Sequence, residues 1–396
     1  MIVRAVSPYT EADPVSLLLH LLAAVGNIIG DRPCFRVGDT RHPLRLFVVL
    51  VGLTAKARKG LAWSVVRHLL SHVDRAWLKL RVIYGGLSSG EGVIYAVRDR
   101  LFQMLPLRRR GRVRGYQRVI VDHGVRDKRL FLMEQEFSQA LRAMTREGSI
   151  LSAIVRQAWD YGHLMPLTKH NPIKATRAHV SVAGHITQHE LLRTLSQTDQ
   201  ANGFGNRFLW ALVERKQYIP SPTPLPTATL HRLVRALREA VRFGRKVTEL
   251  KRSSKAETYW AQIYQGLSEG KPGLLGALVG RGEAYVMRLA CLYALLDCSP
   301  IVKLKHLKAG LALWRYCEAS TLQIFSDRLG DPIADRILAA LKAKGRLSET
   351  AIHALFGRHK SRREIQQALS LLEQYSLARR KRKGTRGRSR IVWSAA

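Results

Sequence analysis

The stretch LRLFVVLVGLTAKARKGLAWSVVRH, Leu44–His68, decides how this 396-residue chain is read. Leu46–Val51 is an apolar run of the length of a buried strand, Gly52–Gly60 is a loop of glycine and basic residues, and a helix is predicted from near Leu61. A strand that hands a basic, glycine-containing loop to a helix start is how backbone N–H groups and the helix dipole hold phosphate. The phosphate-loop spacing G-x-x-x-x-G-K-[ST] is met only in part. Counted from Gly52, Ala57 stands where glycine belongs and Arg58 where lysine belongs, with Lys59 one place later. Leu61 and Ala62 also lack the hydroxyl that holds Mg²⁺ at such a helix start. By spacing alone the segment reads either as a nucleotide site or as a basic loop.

On the N-terminal side, Asp13 and Pro14 open an amphipathic helix over residues 11–29 that ends at Gly30. On the C-terminal side the helix runs to about Leu80, followed by a strand, Leu80–Tyr84, a glycine-rich loop, Gly85–Gly92, and a helix, Val93–Met104. Leu107–Arg118 holds six arginines in twelve residues and no apolar period, which predicts a surface loop. A strand at Arg129–Met133 ends on Glu134-Gln135-Glu136 before a helix, Phe137–Met144, and a further helix covers Ser149–Tyr161. His179–Ala183 ends in Gly184-His185-Ile186-Thr187; helix Gln188–Leu195 and the turn Asn202–Arg207 precede a last strand, Phe208–Val213. Strands alternating with helices predict an α/β fold with a mostly parallel sheet and functional loops at the carboxyl ends of its strands.

This places an α/β domain at 1–219, a proline-rich linker at 220–228, an all-α domain at 229–328 and a small module at 329–396. In the module, helices Pro332–Lys342, Ser348–Phe356 and Ser361–Tyr375 precede Leu377–Lys381 and Arg390–Trp393. Three helices and a two-stranded ribbon predict a winged helix, whose third helix enters a major groove.

The formal charge of +37 and the isoelectric point near 11 call for a polyanion, with nucleic acid the first candidate and a membrane surface the second. The longest apolar runs, Val15–Ala24, Leu46–Leu53 and Leu289–Leu296, fall short of the roughly 20 residues of a membrane span. The N-terminal residues lack the apolar core and cleavage site of a secretory signal, so a cytoplasmic protein without a membrane partner is expected. Four scattered cysteines with no CxxC spacing read as small buried hydrophobes.

The segments TEADPVSLLLHLLAAVGN, FRVGDTRH, LVGLTAKARKG, GGLSSGEG, DKRLFLMEQEF, SVAGHIT, NGFGNRFLW, ALLDCSP and GDPIADRIL together resemble a RecA-like family of phosphate-loop ATPases. That family occurs in plasmids, phages and integrated elements, beside or fused to primase-polymerase modules. The resemblance spans nearly the whole chain. It implies ATP and Mg²⁺ as cofactors, a homo-oligomer such as a hexamer, and a primase-polymerase partner. It maps the phosphate lysine to Lys59 and its hydroxyl partner to position 61, which here is Leu61. Nucleotide contact then falls to Gly52, Thr54, Lys56, Arg58, Lys59 and Gly60, with Thr54 or water left to replace the missing hydroxyl.

Four positions carry the expected chemistry. Glu91, after a strand taken to neighbour the phosphate-loop strand, is by the resemblance the glutamate that activates water, or else a first-turn acid serving a helix dipole. Glu134 is the acid that holds Mg²⁺, with Glu136 as second choice, or else a cap or ion-pair partner. His185, followed by Thr187, is a sensor of the γ-phosphate, or else a structural histidine. Arg207 is an arginine finger reaching a neighbouring subunit, or else pairs within its own fold.

Two basic segments are candidates for DNA. One is Arg108, Arg109, Arg110, Arg112 and Arg114 with Tyr116; its alternative is a solvated insertion. The other is the wing Arg379–Arg390, with eight Arg or Lys in twelve residues, including Arg380, Arg382, Lys383, Arg386 and Arg388, together with Arg362 and Arg363 at the third helix; its alternative is a basic tail. The expected function is an ATP-dependent DNA-binding motor, a replicative helicase or DNA-remodelling ATPase. The alternative, favoured by Leu61, is a catalytically weak nucleotide-sensing replication-initiation protein. A purely basic regulator leaves the α/β core unexplained, and no Asp cluster of a nuclease or primase is present.

Overall fold

A computed structural model gives the fold and describes residues 1–109, 112–166, 173–196, 198–199, 202–270, 273–325, 331–357, 359–374, 377–383 and 390–395. The chain runs α1 (Ile2–Val6), α2 (Pro14–Ile29), β1 (Cys34–Val37), β2 (Thr40–Pro43), β3 (Phe47–Gly52), α3 (Lys59–Ser71), α4 (Arg75–Leu80), β4 (Val82–Tyr84) and α5 (Gly90–Ala96). It continues through β5 (Leu101–Arg109), β6 (Arg112–Asp122), β7 (Arg129–Glu134), α6 (Phe137–Met144), α7 (Leu151–Asp160), β8 (His179–Thr187), α8 (Gln188–Thr194), β9 (Leu209–Val213) and α9 (Thr227–Gly244). Then follow β10 (Lys251–Arg252), α10 (Ser254–Ser268), α11 (Gly273–Val279), α12 (Gly282–Leu296), β11 (Ile301–Val302) and α13 (Leu304–Phe325). The last elements are α14 (Pro332–Lys344), β12 (Arg346–Ser348), α15 (Glu349–Ala354), α16 (Arg362–Gln374), β13 (Ala378–Lys383) and β14 (Arg390–Ala395).

Five strands form one all-parallel sheet in the order β4-β7-β8-β3-β9. All six residues of β3 are buried, as an interior parallel strand covered on both faces requires. The two covers follow from the two-residue side-chain period. A Cβ on Gly184 would lie 2.7 Å from the Phe137 ring of α6, whereas His185 reaches His20 of α2, so α2 and α6 cover opposite faces. Asp13 caps α2 by accepting from the Val15 N–H at 2.7 Å. Asn27 then ties that helix to the sheet, donating to the carbonyls of Leu130 (3.0 Å) and His179 (2.8 Å) and accepting from the Trp77 indole (2.8 Å).

Two expectations are corrected here. The helix predicted to Met104 stops at Ala96, and the predicted surface loop is an antiparallel ribbon of β5 and β6. Pro106 bars a helix interior, and ladder pairing from Phe102↔Ile120 to Arg109↔Arg112 satisfies the backbone instead. The pair Arg98–Asp122, 2.5 Å apart, closes the ribbon at its base. Second, the helices after Pro226 do not form a domain of their own. Residues Met1–Glu269 and Val279–Ser320 make one compact unit, and Gly270–Leu278 with Thr321–Ala396 make another. The reason is packing: a Cβ on Gly244 of α9 would stand 2.8 Å from Ile29 of α2, and one on Gly26 of α2 would stand 3.1 Å from Leu292 of α12.

In the second unit β12, β14 and β13 form an antiparallel sheet in that order. Ile337 and Leu341 of α14, Ile352 of α15, Ile365, Leu369 and Leu372 of α16, and Trp393 of β14 share one apolar core. No described helix is long and apolar enough to cross a membrane. Cys34, Cys291 and Cys317 are buried, and Cys298 is half-buried.

Candidate functional site

The register of the sheet assembles the site. Gly52 at the end of β3 stands beside Thr187 of β8 and Val213 of β9, and Glu134 at the end of β7 stands beside Gly184. The carboxyl ends of β3, β8 and β7 are therefore adjacent, and their loops enclose a cavity of about 400 Å³. Arg58, Lys59, Gly60 and Leu61 wall it from the β3 loop, Gln135 and Glu136 from β7, and His185, Ile186, Thr187 and Glu190 from β8 and α8.

The β3 loop turns tightly. Thr54 accepts from the Lys56 N–H at 3.2 Å, a single 3₁₀ turn spans Ala55–Ala57, and Arg58 sits in the left-handed region at φ 56°, ψ 27°. A non-glycine residue held there costs on the order of 1 kcal/mol, which marks the turn as constrained. α3 then begins without a side-chain cap. Its first backbone bond runs from the Ala62 N–H to the Arg58 carbonyl. Among the described residues the N–H groups of Lys59, Gly60 and Leu61 thus have no acceptor, which is the donor set and dipole end that an anion needs.

Lys59 folds back into this turn. Its ammonium would lie 2.6 Å from a Cβ at position 52, and that Cβ would also meet the Ala57 Cβ at 2.8 Å and the Thr54 carbonyl oxygen at 2.9 Å, so the tight turn requires glycine at Gly52. The residue is 8% exposed, and its ammonium has no hydrogen-bond or ion-pair partner among the described residues. Burial lowers its pKa, opposed by the charges of Glu190 and Glu136. An unpartnered buried cation is costly to keep unless a ligand supplies the opposite charge. Gly52, Thr54 and Lys56 shape the loop without lining the cavity, and Arg58 lines it while its guanidinium pairs with Glu11 at 3.0 Å.

The two acids of β7 take different places. Glu134 is 2% exposed, does not line the cavity, and accepts from the Leu87 N–H at 2.9 Å, with burial raising its pKa. Its carboxylate fixes the loop after β4. Glu136 is exposed on the cavity wall. The second choice from sequence is therefore the acid that reaches the cavity, because the chain leaves the strand after Glu134.

His185 lines the cavity while its Nε2 lies 2.9 Å from Nε2 of the buried His20. Burial, with His20 and Lys59 nearby, pushes the His185 pKa well below the usual range, and burial takes His20 to about 3. Both rings are therefore neutral at pH 7. With Nε2 engaged, Nδ1 of His185 is the nitrogen left for the cavity. Thr187 caps α8: its hydroxyl donates to the Glu190 carboxylate at 2.9 Å and accepts from the Glu190 N–H at 3.3 Å.

Glu91 and Arg207 are not brought to this cavity. β4 is an edge strand, separated from β3 by β7 and β8 rather than adjacent to it, and Glu91 is an exposed first-turn residue of α5. Arg207 does not stand on a free loop. It is 7% exposed, pairs with Asp160 at 2.6 Å, and also donates to the Gly203 carbonyl. Within this chain it is a structural arginine.

Of the DNA candidates, Arg108, Arg109, Arg112 and Arg114 are exposed at the ribbon tip, and Arg110 lies outside the described residues. Arg362 and Arg363 are exposed at the start of α16, and Arg380 pairs with Glu373 at 3.1 Å. Arg382 and Lys383 belong to β13, and Arg386 and Arg388 lie outside the described residues. Sequence reasoning missed Glu190, although the Thr187-x-x-Glu190 capping pattern was there to mark it. It also missed the His20–His185 pair, which nothing local encodes. No group of three His, Cys, Asp or Glu side chains able to hold a metal by itself occurs among the described residues. Compared with protein-family models and with curated proteins, the chain matches none.

Proposed function

We propose that this protein is a RecA-like, phosphate-loop nucleotide-binding protein that acts on DNA, and that ATP binds in the cavity at the ends of β3, β7 and β8. The observation that carries the reading is Lys59, a buried ammonium without a partner, set against three open N–H groups at the uncapped start of α3. An all-parallel sheet with this loop on an interior strand supports it. So does the charge of +37, which favours a nucleic-acid partner.

In this reading Lys59 and the N–H groups of Lys59, Gly60 and Leu61 hold the triphosphate, and Nδ1 of the neutral His185 takes a proton from, or gives one to, the water or phosphate oxygen beside it. Glu136, the exposed carboxylate of the cavity, would hold Mg²⁺ together with phosphate oxygens. When bound, the ion neutralises charge on the transferred phosphoryl group. Glu136 and Glu190 keep Lys59 charged. The exposed arginines of the β5–β6 ribbon and of the C-terminal three-helix module, read as a winged helix, follow the phosphate backbone. A motor that works as a homo-oligomer beside a primase-polymerase belongs to the same proposal.

A second reading has its own support. Leu61 offers no hydroxyl to a metal, Glu91 stands outside the cavity, and Arg207 is tied to Asp160. These favour a nucleotide-gated DNA-binding platform with slow turnover. Calorimetric titration of ATP and ADP, followed by ATP hydrolysis with and without DNA, separates the two. Binding that Lys59→Ala abolishes, with turnover stimulated by DNA, supports the motor. Binding without turnover supports the platform, and no binding in the parent protein overturns both.

A further inference from the structure

A second basic concavity in the same compact unit lies apart from the nucleotide cavity. α9 buries Leu233, Leu237, Ala240 and Val241 and is held against α2 at Gly244. Its outer face carries Arg235, Arg238 and Arg242, and Lys246 follows just past its end; all four are exposed. At 3.6 residues per turn the three arginines fall within about 60° of arc, so they form one row. With His72 and His231 they wall a groove of about 760 Å³. Arg238 donates to the His72 carbonyl at 2.9 Å, which fixes the middle of the row. Arg235, Arg242 and Lys246 meet no carboxylate partner among the described residues, and Glu239 is the single acid among the lining side chains.

A helix face built only for solvation interleaves opposite charges three and four residues apart, because like charges at that spacing repel. Here Glu239, four residues after Arg235 and three before Arg242, is one acid against four cations, so the row stays strongly positive, and it does so in a concavity where the fields of neighbouring cations add. We propose that the groove is a binding site for a nucleic-acid backbone, with Arg235, Arg242 and Lys246 contacting successive phosphates and Arg238 positioned between them. Arginine forks match phosphate oxygens, and with no Tyr or Trp and Phe243 as the one large aromatic side chain beside His72 and His231, the groove grips backbone rather than stacking a run of bases. α3 begins at Lys59 and is capped at His72, so one helix joins the phosphate loop to this groove. The inference deepens the DNA-acting reading and rests on it.

The test uses the full chain without nucleotide and measures anisotropy of labelled single-stranded and duplex oligonucleotides between about 50 and 200 mM salt. The triple variant Arg235→Ala, Arg242→Ala, Lys246→Ala is expected to bind at least about tenfold more weakly, with the slope of log K against log salt reduced by about 2 to 3 on duplex and somewhat less on single strands. Arg235→Lys with Arg242→Lys keeps the charge and is expected to keep most of the slope. An unchanged slope in a triple variant that melts like the parent overturns the proposal. So does loss of binding to phosphatidylserine vesicles with the DNA slope intact, which would make the groove a membrane surface. Absence of DNA binding in the parent overturns it as well, while ATP binding through Lys59 is measured separately and stands or falls alone.

Discussion

Two glycine-containing junctions leave the central sheet for a helix, and they differ in what stands beside their N–H groups. After β3, the chain enters α3 uncapped, with three open N–H groups and a buried lysine beside them. After β4, the Ser89 hydroxyl accepts from the Gly92 N–H at 3.0 Å, and the Leu87 N–H is taken by Glu134 at 2.9 Å. Both read as strand, glycine loop and helix. The second has a side-chain cap and a carboxylate on two of its donors and no buried lysine beside it, so the pattern marks a phosphate site where an uncapped helix start and an unpartnered cation occur together.

Acid is expected to give the largest effect, and to strike the first junction. His20 and His179 have folded pKa values near 3, and His185 lies well below 6.5, because burial disfavours the charged ring in each. Above pH 6.5 all are neutral in both states and contribute no pH dependence. Below it the unfolded chain takes up protons that the folded chain refuses, so stability falls by about 1.4 kcal/mol per pH unit for each group as pH drops toward their folded values. Chemical denaturation between pH 7 and pH 4.5 checks this, and a flat profile would contradict the neutral His20–His185 pair.

The next effect is on ligand. Lys59→Ala is expected to weaken ATP binding by about 100-fold or more, equivalent to about 2.7 kcal/mol, whereas Ser89→Ala leaves it unchanged; titration calorimetry on both variants tests the asymmetry. Smaller again, Leu61→Thr restores a hydroxyl at the third helical position and is expected to raise Mg²⁺-dependent turnover by about tenfold. Equal turnover in both proteins would show that the metal does not depend on this position.

The smallest effects belong to the second junction. Ser89→Ala removes a cap and is expected to cost about 1 kcal/mol, lowering Tm by a few degrees. Glu134→Gln should do the opposite. Its carboxyl has a raised folded pKa, so folding binds a proton between the unfolded and folded values, and above them the buried charge is a cost. The amide keeps an acceptor for the Leu87 N–H without the charge, and Tm at pH 7 is expected to rise by a few degrees. A fall in Tm would mean that Glu134 is stabilised by a cation it does not meet here.

Much of the core was legible. β3, β7, β8 and β9 fall where apolar runs end in polar or glycine loops, and the Asp13 cap of α2 was readable from two residues. The ribbon was not, because Leu107–Arg118 has no apolar face and its strands are held by each other rather than by a core. Among candidate site residues, spacing alone put Arg58 at the lysine position, and Lys59 was singled out only through the resemblance; its burial beside the cavity is a matter of how the loop folds back. Glu136 over Glu134 was not, since it depends on where the chain turns off the strand. Glu91 was placed beside the phosphate loop on an assumed strand order that β7 and β8 interrupt.

The sequence by itself determined the alternation of strands and helices, the glycine that admits Lys59, the caps and the excess of positive charge, because each is encoded by residue type and near-neighbour spacing. Tertiary structure alone decided that Arg207 is locked by Asp160, 47 residues earlier, that His20 and His185, 165 apart, share one hydrogen bond, and that three arginines of α9 face His72 across a groove. Backbone propensities and caps act over a few residues and are written locally. Which strand lies beside which, and which buried charges find a partner, is fixed only when distant segments pack on the same sheet.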